Sequence, residues 1–197
     1  IEKTVTKYKP NYIACESEKL VNLIGKKKYP KIFNTYENYY FYKTNFKTRL
    51  TSKNLQILLP TSGSTGSNKY VKISKKNIYE NTISIIKYLK ITKKDRAITN
   101  MPYCYSYMLS ILNTHLQKGG SVVVSKKSII QKEFWEIFNN FKPTSFNGVP
   151  YIYEIINKIG LKRIFSKSLR YITQAGGKLD HKLSLKLTKL AIKKKIE

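Results

Sequence analysis

The sequence of 197 residues is long enough to bury a core in one domain, and it carries a formal net charge of +27. Two distant cysteines, Cys15 and Cys104, and two histidines, His115 and His181, exclude a disulfide framework and a zinc module, and no metal cluster is expected. No apolar run approaches the ~20 residues of a transmembrane helix, no signal peptide is visible, and a reducing cytoplasm is the expected compartment.

The charge points first to a nucleic acid or an anionic surface. Its composition argues otherwise. Arginine occurs only at 49, 96, 163 and 170, so lysine supplies nearly all of the 38 basic residues. Lysine, isoleucine, asparagine and tyrosine are all abundant, and all have A/T-rich codons. The lysines are spread along the whole chain, whereas a phosphate-reading surface favours clustered arginine. Solvated lysine faces are therefore expected, without a specific nucleic-acid partner.

In chain order, a polar helical stretch opens the sequence and Tyr12–Cys15 reads as a strand. Leu20, Val21, Leu23 and Ile24 predict a short helix ending near Gly25. Tyr29–Phe33 predicts a strand, and Asn34–Thr48 is aromatic without clear period, a loop or irregular hairpin. Its tyrosines, Tyr36, Tyr39, Tyr40 and Tyr42, read as surface packing. Strands follow at Leu55–Leu59 and Tyr70–Ile73, then a helix capped by Ser74 with Ile78, Thr82, Ile85, Ile86 and Leu89 on one face. Ala97–Asn100 is a strand, and a helix runs through His115 to Gly119–Gly120. Val122–Val124 is a β-branched run suited to a buried parallel strand. Phe134, Ile137, Phe138 and Phe141 form a helical stripe, Ser145–Val149 a strand, and Ile152, Ile155, Ile156 and Ile159 a second stripe. Tyr171–Thr173 is a strand, and Leu183, Leu187, Leu190 and Ala191 form a last helical face. Strand and helix alternate from residue 70 onward, which predicts an α/β fold with a largely parallel sheet flanked by helices and no second domain.

The stretch Thr61–Lys69, TSGSTGSNK, lies between two of these strands. Glycine lets a backbone approach closely and turn its N–H groups inward, hydroxyls add donors, and Lys69 adds a positive charge, so the loop suits a phosphate group. It is not a Walker A motif: two residues separate Gly63 from Gly66, and Tyr70 follows Lys69. Two more loops follow predicted strands, Met101–Met108 and Gln174–Leu179. In open α/β sheets ligands gather where strands end, so the three are expected to share one crevice. Cys104 reads as a small buried apolar residue and His115 as a helix residue without a chemical role.

These segments, in order, resemble the adenylate-forming superfamily, which includes acyl-CoA synthetases, nonribosomal-peptide adenylation domains and luciferases. TSGSTGSNKYVKIS resembles its signature phosphate loop, with Asn68 where proline is usual and Tyr70 where glycine is usual. MPYCYSYMLSILNTHLQKGGSVVV resembles its aromatic loop, helix and glycine-led strand, with Tyr105 where many members have histidine and Met108 where many have glycine. FNGVPYIYEII resembles the helix led by Gly-Val-Pro, and SLRYITQAGGKL the glycine-rich loop beside adenine. The similarity covers residues 55–190.

The resemblance implies part of the large N-terminal domain of such an enzyme over residues 1–197. It implies activation of a carboxylic acid by ATP with Mg²⁺, pyrophosphate release, and transfer to coenzyme A or the phosphopantetheine of a carrier protein. It implies that Thr61, Ser62, Gly63, Ser64, Thr65, Gly66 and Lys69 bind the ATP phosphates. Gly176, Gly177 and Lys178 would line the adenine side, and Tyr103, Tyr105 and Met108 the acyl pocket. The family's acidic Mg²⁺-holding motif and its small C-terminal domain, which carries the lysine of adenylation, have no counterpart before Glu197. Because the chain opens on Ile1, it is also expected to lack its N-terminus, and so to be an inactive fragment of an enzyme. The alternatives are a non-catalytic remnant that at most binds nucleotide, and a basic protein binding nucleic acid nonspecifically.

Overall fold

The computed structural model describes residues 2–16, 31–36, 39–47, 52–61 and 69–196. The chain divides into two compact units, Ile1–Lys53 and Asn54–Glu197. Among the described residues no helix is long and apolar enough to cross a membrane.

The first unit holds a helix, α1 (Glu2–Tyr8), and an antiparallel sheet of β1 (Tyr12–Cys15), β2 (Lys31–Tyr36) and β3 (Tyr39–Lys43) in the order β1-β3-β2. Val5 packs with Ile13 and Phe46. The helix expected at residues 20–24 lies outside the described residues. The aromatic stretch after Asn34 forms the second of the two alternatives expected there, an irregular hairpin: β2 and β3 pair antiparallel with a register shift between Ile32 and Asn34. Aromatic side chains suit a pleated surface, but the run YYFY has no polar alternation to reveal one. Tyr42 is buried, against the expectation of surface packing, while Tyr36 is exposed.

The second unit begins with a hairpin of β4 (Leu55–Pro60) and β5 (Tyr70–Ser74), paired antiparallel, so parallel pairing starts later than the alternation suggested. Helix α2 (Lys75–Leu89) is entered through a capping box: Ser74 Oγ accepts the Asn77 N–H at 3.1 Å, and Asn77 Oδ1 accepts the Ser74 N–H at 3.1 Å. Strand β6 (Arg96–Ile98), helix α3 (Ser106–Gln117) and strand β7 (Ser121–Val123) form one parallel unit. After helix α4 (Lys132–Phe141), strand β8 (Ser145–Gly148) leads through helix α5 (Pro150–Ile159) and a short 3₁₀ turn to strand β9 (Tyr171–Gln174), parallel to β8. Helix α6 (His181–Lys194) follows. Thr144 joins the two pairs. Its N–H donates to Arg96 O at 2.8 Å, and its carbonyl accepts from Arg170 N at 2.7 Å.

Helices cover both faces of these strands. Ile98, Phe146 and Ile172 turn toward α4, α5 and α6, where Phe134, Phe138, Ile152, Ile156, Leu183 and Leu187 complete the largest core. Ala97, the neighbour of Ile98, turns the other way toward Met101, Met108 and Ile111. Tyr171, the neighbour of Ile172, packs with Ile86 and Ile91. The period of two along each strand thus divides the core into two layers.

The stripe expected on α4 needs one correction. Trp135 is buried and donates its indole N–H to Ile129 O at 2.7 Å, whereas Phe141 is 52% exposed. The helix ends at Phe141, and Lys142 turns into the left-handed region at φ 48, so the last turn leaves the core. Helices α2 and α6 end the same way, on Lys90 at φ 51 and Lys195 at φ 55. Strand β7 stops at Val123, and Val124 faces solvent.

Candidate functional site

The two ends of the parallel strands differ in kind. At the N-terminal ends sits a buried carboxylate, Asp95. It accepts from the Thr92 N–H at 2.8 Å, the Thr144 hydroxyl at 2.9 Å, and the Arg170 guanidinium at 3.1 and 3.2 Å. Burial opposes its charge. The hydrogen bonds from Arg170, Thr92 and Thr144 outweigh that and hold the carboxyl below its ordinary range. His115 lies nearby in α3, fully buried; it donates Nδ1–H to Ile111 O at 2.8 Å and faces the Tyr171 hydroxyl with Nε2 at 3.4 Å. Burial lowers its pKa, which keeps it neutral and structural. This end of the sheet is an anchor.

The loops singled out in the sequence emerge at the opposite end. Val149 caps α5 and Pro150 takes its first turn, where a missing N–H costs nothing. Gly176 has φ +85, and a Cβ there would lie 3.2 Å from Val149 Cγ1. A Cβ on Gly177 would lie 3.3 Å from Pro150 Cγ. The backbone of the Gln174–Leu179 loop therefore lies flush on Val149 and Pro150, with Gly176, Gly177 and Lys178 exposed on its other side. Val149 also packs against the cluster of Ala97, Met101, Met108 and Ile111. One side chain thus backs both the glycine loop and the base of the Met101–Met108 loop. Gly176→Ala should cost about 1–2 kcal/mol, because an L-residue resists this backbone conformation and Val149 blocks relaxation; a urea titration measures it.

Within the aromatic loop, Tyr103 is 42% and Tyr105 52% exposed, while Met108 is at 0% and packs with Ala97, Met101 and Ile111. Cys104 is exposed, contrary to the expectation of a buried apolar residue, because the loop before α3 turns it outward.

The described ends of the loop expected to hold phosphate are Thr61 and Lys69. The Thr61 N–H donates to Lys69 O at 2.9 Å and its hydroxyl to the same oxygen at 3.3 Å, which closes the neck of the loop. Ser62, Gly63, Ser64, Thr65 and Gly66 lie outside the described residues. A groove of about 390 Å³ lined by Leu59, Val71, Ser106 and Leu109 separates the hairpin from the start of α3. Ser106, of the Met101–Met108 loop, thus lines the same groove as Leu59 and Val71 of the hairpin.

Sequence reasoning missed a set of polar residues beneath these loops. Tyr107 of α3, Thr173 of β9, Asn147 of β8 and Asn100 after β6 are joined by hydrogen bonds of 2.6–2.7 Å. The signal was an asparagine inside the otherwise apolar run before Gly148, since a polar group in a buried strand needs partners.

Among the described residues no group of three or more His, Cys, Asp or Glu could hold a metal ion. The backbone of Gly176 and Gly177 is exposed, and a Cβ on either residue would press on Val149 or Pro150, so glycine is what lets the loop lie against the start of α5.

The family model described as AMP-binding enzyme matches residues 6–196, and the chain belongs to that family. Among curated relatives, the oxalate–CoA ligase of Saccharomyces cerevisiae is 30% identical over 125 residues, 61% of this chain and 23% of the relative. The long-chain-fatty-acid–CoA ligase 1 of Schizosaccharomyces pombe is 28% identical over 106 residues, 51% of this chain and 16% of the relative. The chain therefore spans a quarter or less of these relatives. Among solved structures, O-succinylbenzoate coenzyme A synthetase from Bacillus subtilis, in complex with the acyl-adenylate intermediate OSB-AMP, is 25% identical with a TM-score of 0.59. The match covers 70% of this chain and 27% of that one. The N-terminal domain of FACL13 from Mycobacterium tuberculosis shares the fold at 17% identity and a TM-score of 0.59, over 71% of this chain and 34% of that one.

Proposed function

We propose that this chain is part of an enzyme that activates a carboxylic acid as an acyl-adenylate. A carboxylate oxygen attacks the α-phosphorus of ATP, the bond to the β-phosphate oxygen breaks, and pyrophosphate leaves. A thiol, that of coenzyme A or a carrier protein's phosphopantetheine, then takes the acyl group and releases AMP. The observation that carries this reading is the stacking of the Gln174–Leu179 loop on Val149 and Pro150, beside the base of the aromatic loop. The same Val149 backs an exposed glycine backbone and the root of the loop that carries Tyr103 and Tyr105, which supports a nucleotide and an acyl group bound side by side.

In this reading Thr61, Ser62, Gly63, Ser64, Thr65, Gly66 and Lys69 hold the phosphates. Gly176, Gly177 and Lys178 lie along the adenine, and Tyr103, Tyr105 and Met108 border the acyl pocket. Transfer of a nucleotidyl group depends chiefly on positioning and on neutralising charge on the departing pyrophosphate, which a hydroxyl- and N–H-rich loop with a lysine supplies. Mg²⁺, when bound, would add further charge neutralisation.

The test is ATP–pyrophosphate exchange with a panel of carboxylic acids, run on this chain and on the longest reading frame that contains it. Acid-dependent exchange by the longer protein supports the reading. Its absence from both favours a non-catalytic remnant. In an active protein, Lys69→Ala should lower kcat/KM for exchange about 100-fold, the scale of losing one charged stabiliser of the transition state. An unchanged value removes Lys69 from the phosphate site.

A further inference from the structure

The polar residues beneath the loops form a connected chain with a defined direction. Thr173 carries one hydroxyl proton and donates it to Asn147 Oδ1 at 2.6 Å. The Tyr107 hydroxyl, 2.6 Å from Thr173 Oγ1, must therefore be the donor of that pair. Asn100 Nδ2 donates to Asn147 O at 2.7 Å. The buried Tyr153 hydroxyl adds a bond to Thr173 O at 2.7 Å.

The positions of these residues give the chain its meaning. Asn100 immediately precedes the Met101–Met108 loop, Asn147 precedes Gly148–Pro150, and Thr173 precedes the Gln174–Leu179 loop. Tyr107 lies in the aromatic loop itself and opens the first turn of α3. Each candidate loop of the parallel strands is thus tied at its root to the next one. Burial pushes the Tyr107 hydroxyl up to about 12, so it remains a proton donor across the physiological range.

We infer that Tyr107 is a positioning residue: through Thr173 and Asn147 it sets the glycine loop of Gly176–Lys178 relative to the aromatic loop of Tyr103 and Tyr105. The inference rests on the proposed function for what the alignment serves, and on the hydrogen-bonded chain alone for the alignment itself. The bonds lie side by side across the sheet, so loss of the Tyr107 hydroxyl frees the end of β9 without opening the apolar core around Phe138.

Two measurements separate these layers. In the first, amide hydrogen exchange is followed at Thr173–Ala175, the end of the β8/β9 ladder, in this chain. Tyr107→Phe and Thr173→Val should accelerate it about fivefold, the change one net hydrogen bond supports. Thr173→Ser, which keeps the hydroxyl, should match the parent, and α4 amides should be unchanged in every variant. Unaltered exchange at Thr173–Ala175, or equal acceleration in α4, overturns the alignment.

In the second, ATP–pyrophosphate exchange is measured in the longest reading frame. Tyr107→Phe should raise KM for ATP about fivefold with kcat within about twofold, again the scale of one hydrogen bond, and Thr173→Ser should behave as the parent. A fall in kcat at constant KM would mark a merely structural loss and overturn the positioning role. If the parent protein shows no exchange with any acid, the proposed function fails, and the hydrogen-exchange result alone decides the alignment.

Discussion

Replacing Asp95 by alanine should lower the stability of the Asn54–Glu197 unit by about 3 kcal/mol, measured as a fall in the urea midpoint at neutral pH. Breaking a buried, hydrogen-bonded ion pair typically costs about 3–5 kcal/mol. The lower end applies here because the Arg170 side chain keeps 34% exposure and can recover solvent contact. The loss is not confined to one pair. Arg170 also donates to the Leu89 carbonyl at 3.0 Å, and Thr92 and Thr144 would each lose an acceptor. Without the carboxylate, the end of α2, the start of β6 and the approach to β9 lose their common tie.

The pH dependence has a definite sign. The folded-state pKa of Asp95 lies below its ordinary value of 3.8, so the folded protein releases this proton more readily than the unfolded chain. The stabilisation is therefore complete above pH 3.8 and is lost as pH falls below it toward the folded value. The gap between parent and Asp95→Ala should be constant near neutrality and narrow in that acidic window. His115 adds a separate loss at higher pH. Its pKa is lowered from 6.5 by burial, so its contribution is whole above 6.5 and declines as pH falls below that value. The Asp95 charge partly offsets that lowering, so Asp95→Ala should deepen this earlier decline. A gap that failed to narrow below pH 3.8 would contradict the assignment of the carboxylate as an ionised anchor.

Phe138→Ala should be more costly, about 3–5 kcal/mol, with the urea slope unchanged. Phe138 is fully buried, and its ring lies 5.6 Å from that of Trp135, 6.1 Å from that of Phe146 and 6.5 Å from that of Phe134. Truncation leaves a cavity among rigid rings that cannot close over it. Phe141→Ala is the paired control. Three residues further along the same helix and half exposed, it should shift stability by no more than about 0.5 kcal/mol. Equal effects at the two positions would mean that the helix is seated differently.

That contrast shows where the sequence was readable. A helical period placed Phe134, Ile137, Phe138 and Phe141 on one stripe, but period alone does not say where a helix stops. The left-handed Lys142 cut the stripe short, and Trp135, off the strict stripe, filled the core instead. The parallel pairs were legible because a β-branched run and short apolar runs alternated with helical faces. Strand β3 was legible only as half of an irregular hairpin offered beside a loop, since YYFY has no alternation to choose between them. At the candidate site, glycine spacing marked Thr61–Lys69 and Gln174–Leu179, because tight turns and close backbone approach demand glycine. The chain from Tyr107 to Asn100 left almost no trace, since its partners are 26 to 66 residues apart and meet only when strands align.

The helix ends carry a consequence of their own. Four helices, α1, α2, α4 and α6, are followed by a lysine in a left-handed conformation, Lys9, Lys90, Lys142 and Lys195. Glycine is the usual occupant of such a position, and any L-residue there is strained by about 1–2 kcal/mol. Glycine codons are rich in G, whereas lysine is encoded by A-rich triplets. At Lys9, Lys90, Lys142 and Lys195 an A-rich codon thus stands where chain geometry favours glycine. The Pro150–Ile159 helix shows the ordinary solution, ending on Gly160 at φ 114.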